Sequence, residues 1–356
     1  MFEREGLQDA GWSRRSALAT LVLLLACAPL LSSHADAHPD NCTATHSTAF
    51  LHPDEDPVAH KKHVHAPGVR FGLVEEPTII LDYHFGPVMS GVKNTIKLHV
   101  IYYGTFTSTQ KNTLRTFFKS FGYDAAPKVP SVKKWWKLTK GYVDLYNSPV
   151  ASLIVPAGEV SYGYTLGKNL QLSDIQKLVI RSMKSFGVDA RSIYLVLTSK
   201  DVLVEKFCMG VCGTHFYTFP IDATKSQMVP YGWVGNPAKQ CPELCSWPYA
   251  PGGLLQKGLT PPNGDVGIDG MIITIANLLA GIGTNPYGNA FFQGDGLEAA
   301  GVCQGIYGKN SFPGYPGELL VDKATGASFN VYGYKNAKFL VNWIWNPANL
   351  QCTGQA

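Results

Sequence analysis

One apolar run, NGDVGIDGMIITIANLLAGIGTNP from Asn263 to Pro286, limits the folds open to this chain more than any other stretch. Met271, Ile272, Ile275, Leu278, Leu279 and Ile282 recur at helical spacing, and Ile268, Ile273, Ala276 and Ala280 fill the other faces. A helix that is apolar all round has to be buried, so the remaining chain must enclose it. Asp269 is placed to cap its start, because a side-chain oxygen there accepts from a free amide two or three residues on. Gly281 and Gly283 weaken its end, and Pro286 cannot continue it. The marks predict a buried central helix over 269–283. Asn277 is the one strongly polar side chain in its middle. A buried amide finds hydrogen-bond partners or costs about 1–3 kcal/mol. Asn277 therefore reads either as a satisfied core residue or as a place where chemistry once stood.

With 45% hydrophobic residues in 356, the chain can build a sizeable core. Its charged fraction of 16% is low, while 36 glycines and 23 prolines call for many turns and long irregular loops. No second long apolar run follows the N-terminus, so no membrane span is expected in the mature chain. No lysine or arginine run is dense enough for nucleic acid. No phosphate-cradling glycine loop follows a strand, which argues against a nucleotide.

The N-terminus has the pattern of an export signal. Arg14 and Arg15 precede the apolar segment 16–31, and Ala35 and Ala37 offer small residues to a signal peptidase. Residues 1–37 are read as a signal peptide, and the protein as secreted to the extracellular space. The twin arginines raise a folded-export route, and Leu24-Leu25-Ala26-Cys27 faintly resembles a lipoprotein box. The removed segment carries three arginines and four carboxylates, so the mature chain is one unit more basic than the whole chain's +4. Residues 38–75 form a histidine- and proline-rich tail, read as flexible rather than as a metal site with fixed geometry. Within it, Asn41-Cys42-Thr43 makes Asn41 a glycosylation candidate.

Cys208, Cys212, Cys241, Cys245, Cys303 and Cys352 lie in the second half. FCMGVC and CPELC have a spacing that a four-sulfur zinc site also uses. An oxidising compartment favours three disulfides, with the pairing open.

From residue 76 the chain reads as one α/β (α+β) domain: a single mixed sheet with helices packed on it and a disulfide-held, loop-rich C-terminal half. Strands are expected at 78–83, 95–103, 151–155, 160–165 and 193–198. Thr107-Ser108-Thr109-Gln110 and Ser173-Asp174-Ile175-Gln176 are capping-box patterns, and Gly122 and Gly187 close the two helices. Residues 131–142 form another helix, with Trp135 and Trp136 read as core rather than as a sugar platform. A hairpin turn at 322–326 leads to closing strands at 327–332 and 338–344.

The segments HVIYYGTF (99–106), SVKKWWKLT (131–139), IYLVLTSKDVLVEKFCMGVCGTH (193–215), YGWVGN (231–236), CPELCSWP (241–248), PNGDVGIDGMI (262–272) and LVDKATGAS (320–328) resemble the EXORDIUM / phosphate-induced protein 1 family of secreted plant wall proteins. The likeness runs over residues 78–353, and the six second-half cysteines sit where that family places them. It implies an apoplastic or wall-associated protein linked to growth and cell expansion, and brings no established reaction or cofactor.

The central stretch is also distantly similar to bacterial zincin-type metallopeptidases, in which an HELxE-like helix precedes TDP or TNP. Such a helix works because residues at i and i+4 share a face and bind one metal, while the Glu beside the first activates water. Aligned on Thr284-Asn285-Pro286, the ligand positions here are Asn277 and Gly281, and the base position is Leu278. Leucine takes no proton and glycine has no side chain. Glu298 and His215 are candidate remnants of a ligand set. Asp265 and Asp269, four residues apart, read as turn and cap residues, since a Ca²⁺ loop needs more oxygen ligands. The reading that follows is a non-enzymatic wall protein acting by binding a polysaccharide or an extracellular protein. Its alternatives are a secreted metal-dependent hydrolase and a carbohydrate-binding protein using Trp135, Trp136, Trp233 or Trp247.

Overall fold

The computed structural model describes residues 79–123, 128–250, 257–294 and 296–355. The signal segment, the histidine-rich tail and Asn41 lie outside the described residues. The framework is a five-stranded sheet made of β1 (Thr95–Tyr103), β2 (Leu153–Tyr162), β3 (Ser192–Thr198), β4 (Gly213–Tyr217) and β5 (Pro230–Gly235). Their spatial order is β2-β1-β3-β5-β4, parallel throughout except for β4, which runs antiparallel to β5.

Helical crossovers carry the chain from β1 to β2 and from β2 to β3, while the connection from β3 to its parallel neighbour β5 runs through β4. In α1 (Ser108–Ser120) the expected box is present: the Thr107 hydroxyl accepts from the Gln110 N–H at 3.2 Å, and the Gln110 amide oxygen accepts from the Thr107 N–H at 3.0 Å. α2 (Leu172–Phe186) starts earlier than its pattern suggested, because the Asp174 carboxylate reaches back to the Gln171 N–H at 2.9 Å and leaves Ser173 inside the helix. Gly187 closes it, donating to the Met183 carbonyl.

α3 (Val266–Thr284) is the expected central helix, buried from Gly267 to Thr284. It is longer than the expected 269–283 and long and apolar enough to cross a membrane, yet it is buried inside the protein as a core helix. Its cap is Asp265, not Asp269. The extended backbone at Asp265 turns its carboxylate to the Ile268 N–H at 3.0 Å, and Asp269 sits a full turn further in. Gln110 of α1 holds the other Asp265 oxygen at 2.9 Å.

The sheet separates two cores. Ile96, Leu98, Val100 and Tyr102 of β1 face α1 and α3, together with Trp135 and Trp136. Ile101 and Tyr103 face α2 and the paired cysteines, with Trp233. The indole N–H groups of Trp135, Trp136 and Trp233 donate to the Asn342 carbonyl, the Ala151 carbonyl and the Thr198 hydroxyl. All three rings are fully buried, so they have no face for a sugar.

Several expectations are corrected. The chain has several sheets, not one: among the described residues five two-stranded pairs lie beside the main sheet, one of them Leu320–Val321 with Ser328–Phe329, which is the hairpin expected around 322–326. Frequent glycines and prolines stop these strands after two or three residues. The strands expected at 151–155 and 160–165 are one, β2, because Pro156 and Gly158 are tolerated on an edge strand with a register shift opposite Leu98 and His99. Of 79–83, the described part of the first expected strand, only Asp82–Tyr83 pairs, and 131–142 divides into Val132–Trp136 and a tighter 3₁₀ turn, Lys137–Gly141. The cysteines form Cys208–Cys241, Cys212–Cys245 and Cys303–Cys352, so the first four are bridged in pairs rather than gathered on zinc.

Candidate functional site

The sheet positions His215 and the end of α3 positions what it meets. His215 is paired with Gly232 in the β4–β5 ladder. On the face turned to α3, Gly232 is so close to Leu278 that a β-carbon would collide with the leucine methyl. Leu278 thus packs flat on the sheet. One turn on, a β-carbon at Gly281 would come within 3.2 Å of His215 Nε2 and would overlap the Glu298 carboxylate. The four-residue spacing 277–281–285 places Asn277, Gly281 and Asn285 along one stripe of the helix and its cap.

Glu298 arrives from the loop that follows the short pair Asp82–Tyr83 and Phe291–Phe292. Its carboxylate oxygens lie 2.8 and 3.0 Å from His215 Nε2, and the Asn285 side-chain amide donates to Oε1 at 2.8 Å. The Asn285 oxygen in turn accepts from the Ala290 N–H at 2.8 Å. His215 and Glu298 are each only 2% exposed. A buried carboxylate needs such partners, because one left alone would carry its full desolvation cost.

Thus Gly281, His215 and Glu298, all singled out in the sequence, come together, and Asn277 lies one turn away. Asn277 is buried, and among the described residues its Oδ1 has no hydrogen-bond partner, which departs from the satisfied-core reading of its carbonyl. A structural or catalytic zinc ion needs three or four protein ligands. His215 and Glu298 are two, and among the described residues no group of three or more His, Cys, Asp and Glu side chains is arranged around a common point. The carboxylate also fills the space that a ligand side chain at position 281 would need.

At the other end of α3, Asp269 accepts from the Asn263 backbone N–H at 3.0 Å and from its side-chain amide at 2.5 Å. Burial pushes the Asp269 carboxyl up to about 7, against the pull of those hydrogen bonds. This carboxylate pins the approach to the helix and does not join His215 and Glu298.

An open cavity of about 710 Å³ that no motif in the sequence marks lies on the α2 face of the sheet, lined by Lys97, His99, Phe186, Asp189, Arg191 and Gln227 among others. His99 is buried and stacked on Phe186 at 4.6 Å, and its Nδ1 lacks a partner among the described residues. Burial, reinforced by Lys97, lowers its pKa, and Asp189 opposes that. The signal lay in β1: Lys97 and His99 interrupt the strand face that Ile101 and Tyr103 continue.

The phosphate-induced protein 1 conserved region matches residues 81–355. Protein EXORDIUM-like 5 of Arabidopsis thaliana is 40% identical over 77% of this chain and 77% of its own length. Protein PHOSPHATE-INDUCED 1 of Nicotiana tabacum is 40% identical over 79% of this chain and 90% of its own. Protein EXORDIUM of Arabidopsis thaliana is 40% identical over 77% of this chain and 88% of its own. No solved structure matches the chain.

Proposed function

The chain belongs to the phosphate-induced protein 1 family, that of EXORDIUM and its relatives, and on that premise we propose a secreted, wall-associated plant protein that serves growth and cell expansion by binding rather than by catalysis. The observation that supports this reading is the seating of Glu298 against Gly281. Zinc hydrolysis requires two ligands from one helix face and a base beside the first. In this chain those positions are Asn277, Gly281 and Leu278, and Leu278 is packed onto the sheet. His215 and Glu298 are occupied with each other and with Asn285. In this proposal the distant likeness to zincin peptidases survives as a helix without its water-activating groups.

The test is metal analysis of the purified secreted protein together with an assay against a broad peptide library. The expected outcome is no stoichiometric zinc and no cleavage. One zinc per chain with turnover of any peptide would establish the hydrolase alternative. Recovery of a tagged chain from extracellular wash fluid tests the secreted part of the reading, and retention inside the cell would defeat it.

A further inference from the structure

The binding role proposed above leaves open which surface does the binding and what it takes. We infer that the cavity on the α2 face, with the aromatic patch beside it, is a binding site for an acidic saccharide: a chain of sugar rings bearing carboxylates. The inference rests on the binding reading, and it stands on two independent observations.

The first is the chemistry of the cavity. Lys97 has no ion-pair partner among the described residues, and the lining also holds Arg191, whose Nε lies 3.5 Å from Asp189 Oδ1. The one acid in the lining, Asp189, is already engaged: it accepts from the Arg191 N–H at 3.0 Å and from the Ser192 hydroxyl at 2.9 Å. Its charge offsets one cation, so the cavity keeps a net positive charge for an incoming carboxylate. The buried His99 is a polar group in the wall whose Nδ1 finds no hydrogen-bond partner among the described residues. An unmet buried nitrogen is costly unless something polar enters. Phe186 and Val188 supply an apolar lining beside it. Lys97, His99, Asp189, Arg191 and Gln227 make most of the rest of the lining polar, which suits a charged, hydroxylated ligand better than an apolar one.

The second observation is what adjoins the cavity. The Tyr287 hydroxyl lies 3.4 Å from the carbonyl of Ala190, a lining residue, and 3.3 Å from that of Met228, next to the lining residue Gln227. From Tyr287 the aromatic contacts continue to Tyr217 at 5.5 Å and to Phe219 at 6.2 Å. Phe219 is 56% exposed, with Ile221 and Met228 exposed near it in sequence. A sugar ring has an apolar face and a hydroxyl edge, and exposed aromatic rings beside a polar cleft suit both. The rings lie outside the cavity, so the ligand they fit is longer than one sugar.

Calorimetric titration of the full purified chain with uronic-acid oligosaccharides, and with neutral glucose oligosaccharides of equal length, tests the inference. The expected result is saturable binding of the uronate series that weakens with added salt, and weaker or no binding of the neutral series. Lys97→Ala and Phe219→Ala, both at exposed side chains, should each weaken binding by roughly tenfold with unchanged thermal unfolding. His99→Phe should also weaken binding while holding or raising stability, because it keeps the stack on Phe186 and removes the unmet nitrogen. Absence of saturable uronate binding, equal binding of the neutral series, or indifference to both exposed substitutions would overturn the assignment. Shortened products in the titration cell would defeat the non-catalytic reading and leave the site in place. Absent binding would defeat the site and leave that reading in place.

Discussion

Glu298 places its carboxylate where a side chain on Gly281 would begin. The two residues are seventeen positions apart in sequence, yet one excludes any enlargement of the other. The glycine is needed here for close approach rather than for a left-handed backbone.

Gly281→Ala should therefore destabilise the protein. Inside a helix the change would ordinarily help by about 1 kcal/mol, but the new methyl group overlaps a buried carboxylate held by His215 and Asn285. Overpacking of this kind costs about 1–3 kcal/mol, and forcing the carboxylate off its donors adds to it. Urea unfolding should show a net loss. Equal or higher stability would mean that the loop carrying Glu298 gives way freely.

How far the sequence foretold this arrangement depends on the kind of signal. β1, α1 and α3 are set by local patterns, alternation, a capping box and an apolar run, and these patterns act within a few residues. Asn277 and Gly281 were singled out by the distant zincin likeness aligned on Thr284-Asn285-Pro286, and helical spacing added only that they share one stripe. The pairing of Glu298 with His215 was not, since 83 residues separate them and only the folded sheet joins them. The short pairs of the C-terminal half were misjudged because two- and three-residue strands carry no period. The division of Asp265 and Asp269 into cap and buried carboxylate turned on one turn of helix, which spacing alone does not resolve.

The two bridges Cys208–Cys241 and Cys212–Cys245 clasp the same pair of segments, each closing a separation of 33 residues. Removing one with paired Cys→Ala changes should cost little loop entropy, because its twin still closes the loop. Removing both should cost about 4 kcal/mol by the chain-entropy relation, and removing Cys303–Cys352 alone should cost about the same. Chemical denaturation of the three variants gives the comparison. A full loss from either single removal would show that the twin bridges close independent loops.

Asn277→Leu should leave stability unchanged or raise it by about 1 kcal/mol. A buried carbonyl without a partner forfeits about 1–3 kcal/mol, and an apolar side chain recovers part of that against some overpacking. The position is flanked in the helix by Ala276 and Leu278, both buried. A loss above about 1 kcal/mol in thermal or chemical unfolding would demonstrate that the amide oxygen is satisfied in solution, by a bound water or by a ligand.

Asp269 gives the chain a dependence on pH whose direction is opposite to that of a surface carboxylate. Burial lifts its pKa from the ordinary 3.8 to about 7, the neighbouring Asp265 carboxylate pushes the same way, and the two donors of Asn263 pull against them. Between those two values the folded state holds a proton that the unfolded chain has released. Stability therefore declines as pH rises from about 4 to about 7 and levels off beyond, with a contribution of up to about 4 kcal/mol. Asp269→Asn removes the ionisation while keeping one acceptor for Asn263. It costs about one hydrogen bond, about 1 kcal/mol, at every pH, but the slope belonging to this residue disappears. Unfolding free energies of both proteins at pH 5 and pH 8 should show the gap between them narrow or reverse at the higher pH. Parallel profiles would mean that Asp269 is ionised throughout, with the Asn263 donors outweighing burial and the loop before α3 held by a buried charge.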